Sequence, residues 1–280
     1  MPTPKSTIAV IPTYNSLDLI AARVTELLTS SFSTVVICDD NSSDATSETL
    51  KALTEERVVP ILGDQNLGPG GNRNRVLEFL ERQDSDHLFF TDADCQVTYR
   101  ENLVELIDEG FEESDVGVVG FGILNPDGTP MKWNYGDLMH PVLEAADQRL
   151  EEMMDRKQIA KEQFMIGAPS RAASYRMLSE KRPTVVGWVA EGCFAIRTEL
   201  FKELGGFDTA MRFHEAHDLN ARVQRLGYRT VFNPIPLVQH LEYDSRFERR
   251  PEDEIAAKFH YFQKHWGMSE EVFRHLFSLA

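Results

Sequence analysis

The sequence predicts an α/β fold: a mainly parallel central sheet flanked by helices, with a helical insertion and C-terminal helices. Three observations predict it. Short apolar runs rich in β-branched residues alternate with segments of helical spacing up to about residue 122. The alternation stops between Asn125 and Pro183 and then resumes. The segment from Pro251 to Ala280 reads as two amphipathic helices split near Gly267.

Taken in order, Thr7 to Pro12 (TIAVIP) is the first strand and Leu17 to Leu28 the first helix. Thr34 to Cys38 (TVVIC) is the second strand, followed by a helix from about Asp44 to Glu55 opened by Ser and Asp caps. Arg57 to Leu62 and Asn72 to Arg82 form the next strand and helix, then His87 to Thr91 and Glu101 to Glu112, then a fifth strand at Val116 to Phe121. Apolar runs without polar alternation imply strands covered on both faces. Right-handed crossovers then bring the strand C-termini to one edge, where open α/β sheets bind ligands. A long helix is expected at about Pro141 to Lys161, and strands within Thr184 to Arg197. Helices follow at Thr198 to Leu204 and Glu215 to Leu226, the second closed by Gly227, then short strands at Arg229 to Phe232 and Pro236 to His240. One domain over residues 1–250 with an acceptor-side subregion at 125–183, then a C-terminal helical extension at 251–280, fits this order.

The bulk composition narrows the partners. At 280 residues the chain is long enough to close its core without disulfides or a structural metal. A net charge of −16 excludes a global basic footprint for nucleic acid. Cys38, Cys95 and Cys193 are far apart, odd in number and set in apolar runs, so they read as reduced buried thiols. The first residues hold no apolar core for a signal peptide, and no run approaches a membrane span. A cytoplasmic enzyme is expected. The C-terminal helices are left to cover the core, make a homodimer or lie beside a membrane.

Chemistry concentrates in the loops of the ligand edge. In LFFTDADC, Asp92 and Asp94 leave a buried strand one residue apart. Two carboxylates that close repel unless a cation or donor compensates them, and hard oxygen ligands suit Mg²⁺ or Mn²⁺ shared with phosphate. In VVICDDNSSDAT, Asp39 and Asp40 end another strand, placed to accept from a base N–H or ribose hydroxyls. NLGPGGNRNRVLE offers glycines for close backbone approach to a ligand and Arg73 and Arg75 for a diphosphate. It lacks the Gly-Lys-Ser/Thr ending of a Walker A loop, and it follows the third strand rather than the first.

IPTYN, VVICDDNSSDAT, NLGPGGNRN, LFFTDADC and GCFAIRTELFKELGGFD, in that order, resemble the family 2 glycosyltransferases with the GT-A fold, over about Thr7 to Ser245. The resemblance implies that Pro12, Tyr14 and Asn15 border a nucleotide base and that Asp40, with Asp39, hydrogen-bonds it. It places Arg73 near base or phosphate, Asp92 at ribose or metal, and Asp94 on the metal. It also implies a late His, matched by His240, as a third metal ligand or diphosphate contact. The family's Glu-Asp-x-Asp-Leu pattern is met here by FHEAHDLNAR, in which Ala216 replaces an Asp often credited as base. Glu215 is then the first candidate base and Asp218 the second. Glu191 and Trp188 are expected on the acceptor side, and Trp133 and Tyr135 are further aromatic candidates for stacking on a sugar. His214 and His217 are read as structural neighbours before catalytic ones.

The reaction implied is transfer from a UDP- or dTDP-sugar to an acceptor hydroxyl, with inversion. The acceptor is left open among glycan, lipid-linked, peptide and small-molecule classes. Two rivals stand beside it. A sugar nucleotidyltransferase would carry a basic Gly-rich loop after the first strand, where this chain has PTYNSLD. A non-catalytic nucleotide-sugar or glycan-binding relative is favoured by Ala216.

Overall fold

The computed structural model describes residues 6–99, 102–131, 134–160, 163, 182–241 and 251–278. Its strands are β1 (Thr7–Thr13), β2 (Thr34–Asp39), β3 (Val58–Leu62), β4 (His87–Thr91), β5 (Cys95–Val97), β6 (Val116–Leu124), β7 (Tyr135–Gly136), β8 (Thr184–Val186), β9 (Trp188–Val189), β10 (Cys193–Arg197) and β11 (Arg229–His240). The helices are α1 (Leu17–Leu28), α2 (Thr46–Lys51), α3 (Gly68–Asn74), α4 (Val76–Leu80), α5 (Leu103–Glu109), α6 (Pro141–Asp155), α7 (Thr198–Glu203), α8 (Glu215–Arg225), α9 (Pro251–Trp266) and α10 (Glu270–Leu276).

Among the described residues, nine strands form one sheet in the order β3-β2-β1-β4-β10-β6-β11-β5, with β8 also on β11. β3, β2, β1, β4, β6 and β11 run one way, while β10, β5 and β8 run against them. The chain steps from β1 to β2 on one side and returns to β4 on the other, which opens a crevice at the C-terminal ends of β1 and β4. Strand β1 shows why continuous apolar runs were needed. Ile8 and Val10 enter one core while Ala9 and Ile11 enter the other, all fully buried. A third core joins Tyr261, Phe262, Phe273 and Phe277 of α9 and its neighbours to Met139, Ala145, Met211 and Ala221. The C-terminal helices therefore cover apolar surface of the main body.

Several boundaries depart from expectation. The expected strands at Arg229 to Phe232 and Pro236 to His240 are one strand, β11, whose register on β6 slips between Asn233, Pro236 and Val238. Pro236 cannot donate to the ladder, so the strand bulges there instead of ending. The helix expected at Asn72 begins earlier, at Gly68, and breaks at Arg75. The helix expected from Asp44 to Glu55 is the shorter Thr46–Lys51; Asp44 takes the Thr46 N–H at 2.9 Å just before it. Gly227 closes α8 with φ +86°, as a left-handed cap requires. The one-domain layout, with its subregion and extension, stays a proposal. Trp133 and the downstream Ser245 lie outside the described residues.

Candidate active site

The crevice is bordered by loops that hold one another. Asn15 adopts φ +49° in the loop after β1. Its side-chain oxygen accepts the Ser43 N–H at 2.8 Å, and its own N–H donates to Ser42 Oγ at 2.8 Å. Asp39 is fully buried and accepts from Ser42 N–H at 3.2 Å and Ser47 Oγ at 2.7 Å. Asp40, also buried, accepts the backbone N–H groups of Leu67 and Gly68, both at 2.9 Å, and pairs with Arg75 at 3.4 Å. Both carboxylates thus tie the loops together, and Pro12 and Tyr14 lie in the same stretch of β1 and its loop. The glycines of the third motif approach protein rather than leaving an open face. A Cβ on Gly70 would sit 3.2 Å from Phe207 Cβ and 3.4 Å from Glu215 Cγ.

At the end of β4, Asp92 and Asp94 lie in the turn to β5, with side chains about one third exposed. β5 runs antiparallel to the end of β11, and this pairing carries His240 to Asp94, with Nε2 3.5 Å from Oδ2. Asp94, Cys95 and His240 each point one ligand atom into a space where all three atoms lie within 4.8 Å of one another.

On the other side, three carboxylates surround one buried guanidinium. Arg73 donates to Asp92 Oδ1 at 2.6 Å, and its guanidinium lies 5.8 Å from the centre of the Phe207 ring. Burial opposes its charge, but Asp92, Glu191 and Glu215 together hold it more firmly protonated than a free arginine. Glu191 Oε1 accepts the Ala216 N–H at 2.8 Å, which brings it to the first turn of α8 beside Glu215. Burial, with the charge of Asp92, raises the Glu191 carboxyl despite Arg73. Glu215 is 5% exposed, and its Oε1 has no hydrogen-bond partner among the described residues. Burial first, and the Glu191 charge second, push its pKa from 4.5 up to about 8.

Asp218 sits in a different setting. It is fully buried and bonded to Arg222 at 2.8 Å, Lys264 at 2.7 Å and His265 at 2.8 Å. Burial alone would raise its pKa, but the His265 hydrogen bond and the charges of Arg222 and Lys264 outweigh burial and hold the carboxyl well below its usual range. It anchors α9 to α8. His214, with φ +64°, starts α8; burial lowers its pKa to about 3, and burial likewise holds that of His217 well below 6.5. Both imidazoles are therefore neutral. Trp188 is partly exposed and lies on His217, with ring centres 4.3 Å apart. Tyr135 is buried against Phe232 at 3.8 Å, so its ring is core rather than a sugar platform.

Sequence reasoning passed over the residues that hold these groups in place. Asn72 donates to the backbone oxygens of Cys38 at 2.8 Å and Thr13 at 3.2 Å, joining the ends of β2 and β1. Asn74 clamps Phe207 by two bonds, giving to its oxygen at 2.8 Å and taking its N–H at 2.7 Å. Arg23 and Glu26, a buried ion pair on α1, grip β5: Arg23 donates to the Cys95 oxygen at 3.2 Å and Glu26 accepts the Val97 N–H at 3.0 Å. A charged pair at i and i+3 on the apolar face of a helix was the available signal, since unpaired charges do not survive there.

Comparison with known proteins bears on the fold and the family. Over 67 residues, 23% of this chain, there is 42% identity to the succinoglycan biosynthesis protein ExoO of Rhizobium meliloti (strain 1021), and the match spans 19% of that protein's length. The fold matches the mannosyltransferase PcManGT of Pyrobaculum calidifontis, solved with GDP-Man and Mn²⁺, with a TM-score of 0.61 and 14% identity over 99% of this chain and 69% of that one. It also matches GalNAc-T7, solved with UDP, GalNAc and Mn²⁺, with a TM-score of 0.65 and 15% identity over 99% and 55% of the two chains. At such identities the likeness is one of fold, and the fold is GT-A. The sequence model of glycosyl transferase family 2 matches residues 8–205, well over half of the 280 residues. The chain belongs to glycosyl transferase family 2.

Proposed function

We propose that the protein transfers a sugar from a nucleoside diphosphate sugar, UDP- or dTDP-linked, to an acceptor hydroxyl with inversion. The observation that carries this reading is the pairing, across one crevice, of an Asp-and-His donor set with a buried carboxyl of raised pKa, Glu215. Asp94, Asp92 and His240 offer oxygen and imidazole donors of the kind that hold Mn²⁺ or Mg²⁺. A divalent cation held there would neutralise the diphosphate as it leaves. Pro12, Tyr14, Asn15, Asp39 and Asp40 form the base-binding side; the last two act through the loops they brace. Arg73 steers Asp92 and sets the field between the two halves.

Glu215 is the base of this scheme. A carboxyl with pKa near 8 is basic enough to take a hydroxyl proton, while the fully paired Asp218 is not. Glu191 sits where it tunes Glu215, and Trp188 borders the acceptor side. The ExoO match favours a glycan acceptor in polysaccharide assembly. No helix among the described residues is long and apolar enough to cross a membrane. The test is release of nucleoside diphosphate from a donor panel, with Mn²⁺ and with chelator. Turnover with UDP- or dTDP-sugars, lost with chelator and in Asp94→Asn, is expected. Metal-independent turnover in that variant would refute the metal assignment, and binding without turnover across broad acceptors would favour the non-catalytic relative.

A further inference from the structure

Cys95 has no place in the scheme above, yet it shares a face with His240. The two are direct partners across the antiparallel β5–β11 pair. Side chains so opposed project to the same side of the sheet with Cβ atoms about 4.5–5.5 Å apart. Asp94 precedes Cys95 and is tied to the same strand end, its oxygen accepting the Leu241 N–H at 2.9 Å. The backbone of Cys95 is held at both ends, donating to the Asp92 oxygen at 3.0 Å and accepting from Arg23. The thiol is therefore a fixed floor beneath two partly exposed donors, with all three ligand atoms within 4.8 Å.

We propose that Cys95 is a sulfur donor to this site, which makes it a high-affinity site for thiophilic cations, Zn²⁺ or Cd²⁺, bound by Asp94, Cys95 and His240. The inference rests on the metal-site reading above. Zinc takes sulfur at about 2.3 Å and imidazole nitrogen at about 2.0–2.1 Å, so its ligand atoms lie roughly 3–4 Å apart. Rotation of the partly exposed Asp94 and His240 side chains closes the present spacing. On binding, the S–H bond breaks, its proton passes to water and the sulfur lone pair goes to the metal; no oxidation state changes. Hard Mn²⁺ and Mg²⁺ favour the oxygens, whereas a thiolate favours the softer ions. Zn²⁺ therefore displaces Mn²⁺ through a contact that Mn²⁺ does not need.

The experiment uses the full chain stripped of metal, titrated with Cd²⁺, Zn²⁺ and Mn²⁺, each alone. Wild type should develop a thiolate-to-cadmium charge-transfer absorption in the ultraviolet and release a proton on binding Zn²⁺. Cys95→Ser and Cys95→Ala should lose the band and bind Zn²⁺ at least about 10-fold more weakly, since even outer partners of a ligand cost that much. Their Mn²⁺ affinity, read by loss of the free-ion paramagnetic resonance signal, should stay within about three-fold, which also reports that they fold. Cys193→Ser should keep the band. Equal Zn²⁺ affinity in wild type and both Cys95 variants overturns the proposal, as does a band that survives them. If Mn²⁺ binds wild type but not Asp94→Asn while Cys95 makes no difference, only this inference fails. If Mn²⁺ binds neither, the metal-site reading fails and this inference with it.

Discussion

Glu215→Gln should inactivate the protein and, at alkaline pH, stabilise it. The carboxyl titrates at 4.5 when free and at about 8 when folded. Between those values the folded chain holds a proton that the unfolded chain has released, so stability is full below pH 4.5 and falls as pH rises through about 8. At about 1.4 kcal/mol per pKa unit, the loss between pH 5.5 and 8 is roughly 3 kcal/mol. Glu191 titrates with Glu215 and carries part of that sum, so about 1–3 kcal/mol is expected at this position. Glutamine keeps the shape without the charge and escapes the loss. Thermal melts at pH 5.5 and 8.5 should show the variant gaining on wild type by roughly 2–12 °C as pH rises, at about 2–4 °C per kcal/mol. Donor turnover should fall about 10²–10⁴-fold. A pH-independent difference in melting would refute the buried, raised carboxyl; near-normal turnover would refute the base.

The neighbours of Glu215 predict opposite pH shifts. Glu191→Gln removes a charge that raises Glu215, so the acidic limb of kcat/KM against pH should move down; Arg73→Gln removes one that lowers it, and the limb should move up. Asp218→Asn should cost about 1–3 kcal/mol by weakening the bonds from Arg222, Lys264 and His265, with increased proteolysis of α9 and α10 as the readout. Wild type should lose the contribution of Asp218 only at strongly acidic pH, because its folded carboxyl lies below its unfolded value. Glu26→Gln should destabilise by a similar amount and weaken Mn²⁺ binding, measured by calorimetry, although Glu26 lies behind the site.

The strand and helix pattern was legible because its cause is local. HLFFT and TIAVIP carry continuous apolar runs without alternation; the first is buried throughout and the second from Thr7 to Ile11, between two layers. The ligand-edge loops were legible for the same reason, since turn-forming polar residues follow each strand. The distant partners were not. Nothing near Ala216 indicates that Glu191 would arrive at its N–H from across the fold, or that His265 would reach Asp218. Such contacts depend on sheet order, and β10 enters between β4 and β6 only after the rest of the topology is set. The last strand was also divided: Arg229 to Phe232 and Pro236 to His240 read as two, yet a bulge at Pro236 lets β11 continue and deliver His240 to Asp94.

Helix α1 has a mechanical consequence. Near its start, the Ser16 N–H is fixed to Thr46 Oγ1 at 3.1 Å beside the loops that follow β1 and β2; near its end, Arg23 and Glu26 hold β5. A helical rise of about 1.5 Å per residue makes it a strut of roughly 15 Å between those anchor points. On the function proposed above, the two ends of the donor site keep their spacing before any donor arrives. Ordering entropy that a looser cradle would lose on binding is already lost on folding. Hydrogen exchange along α1 should change little when donor binds, whereas the loop at Asn15 should slow.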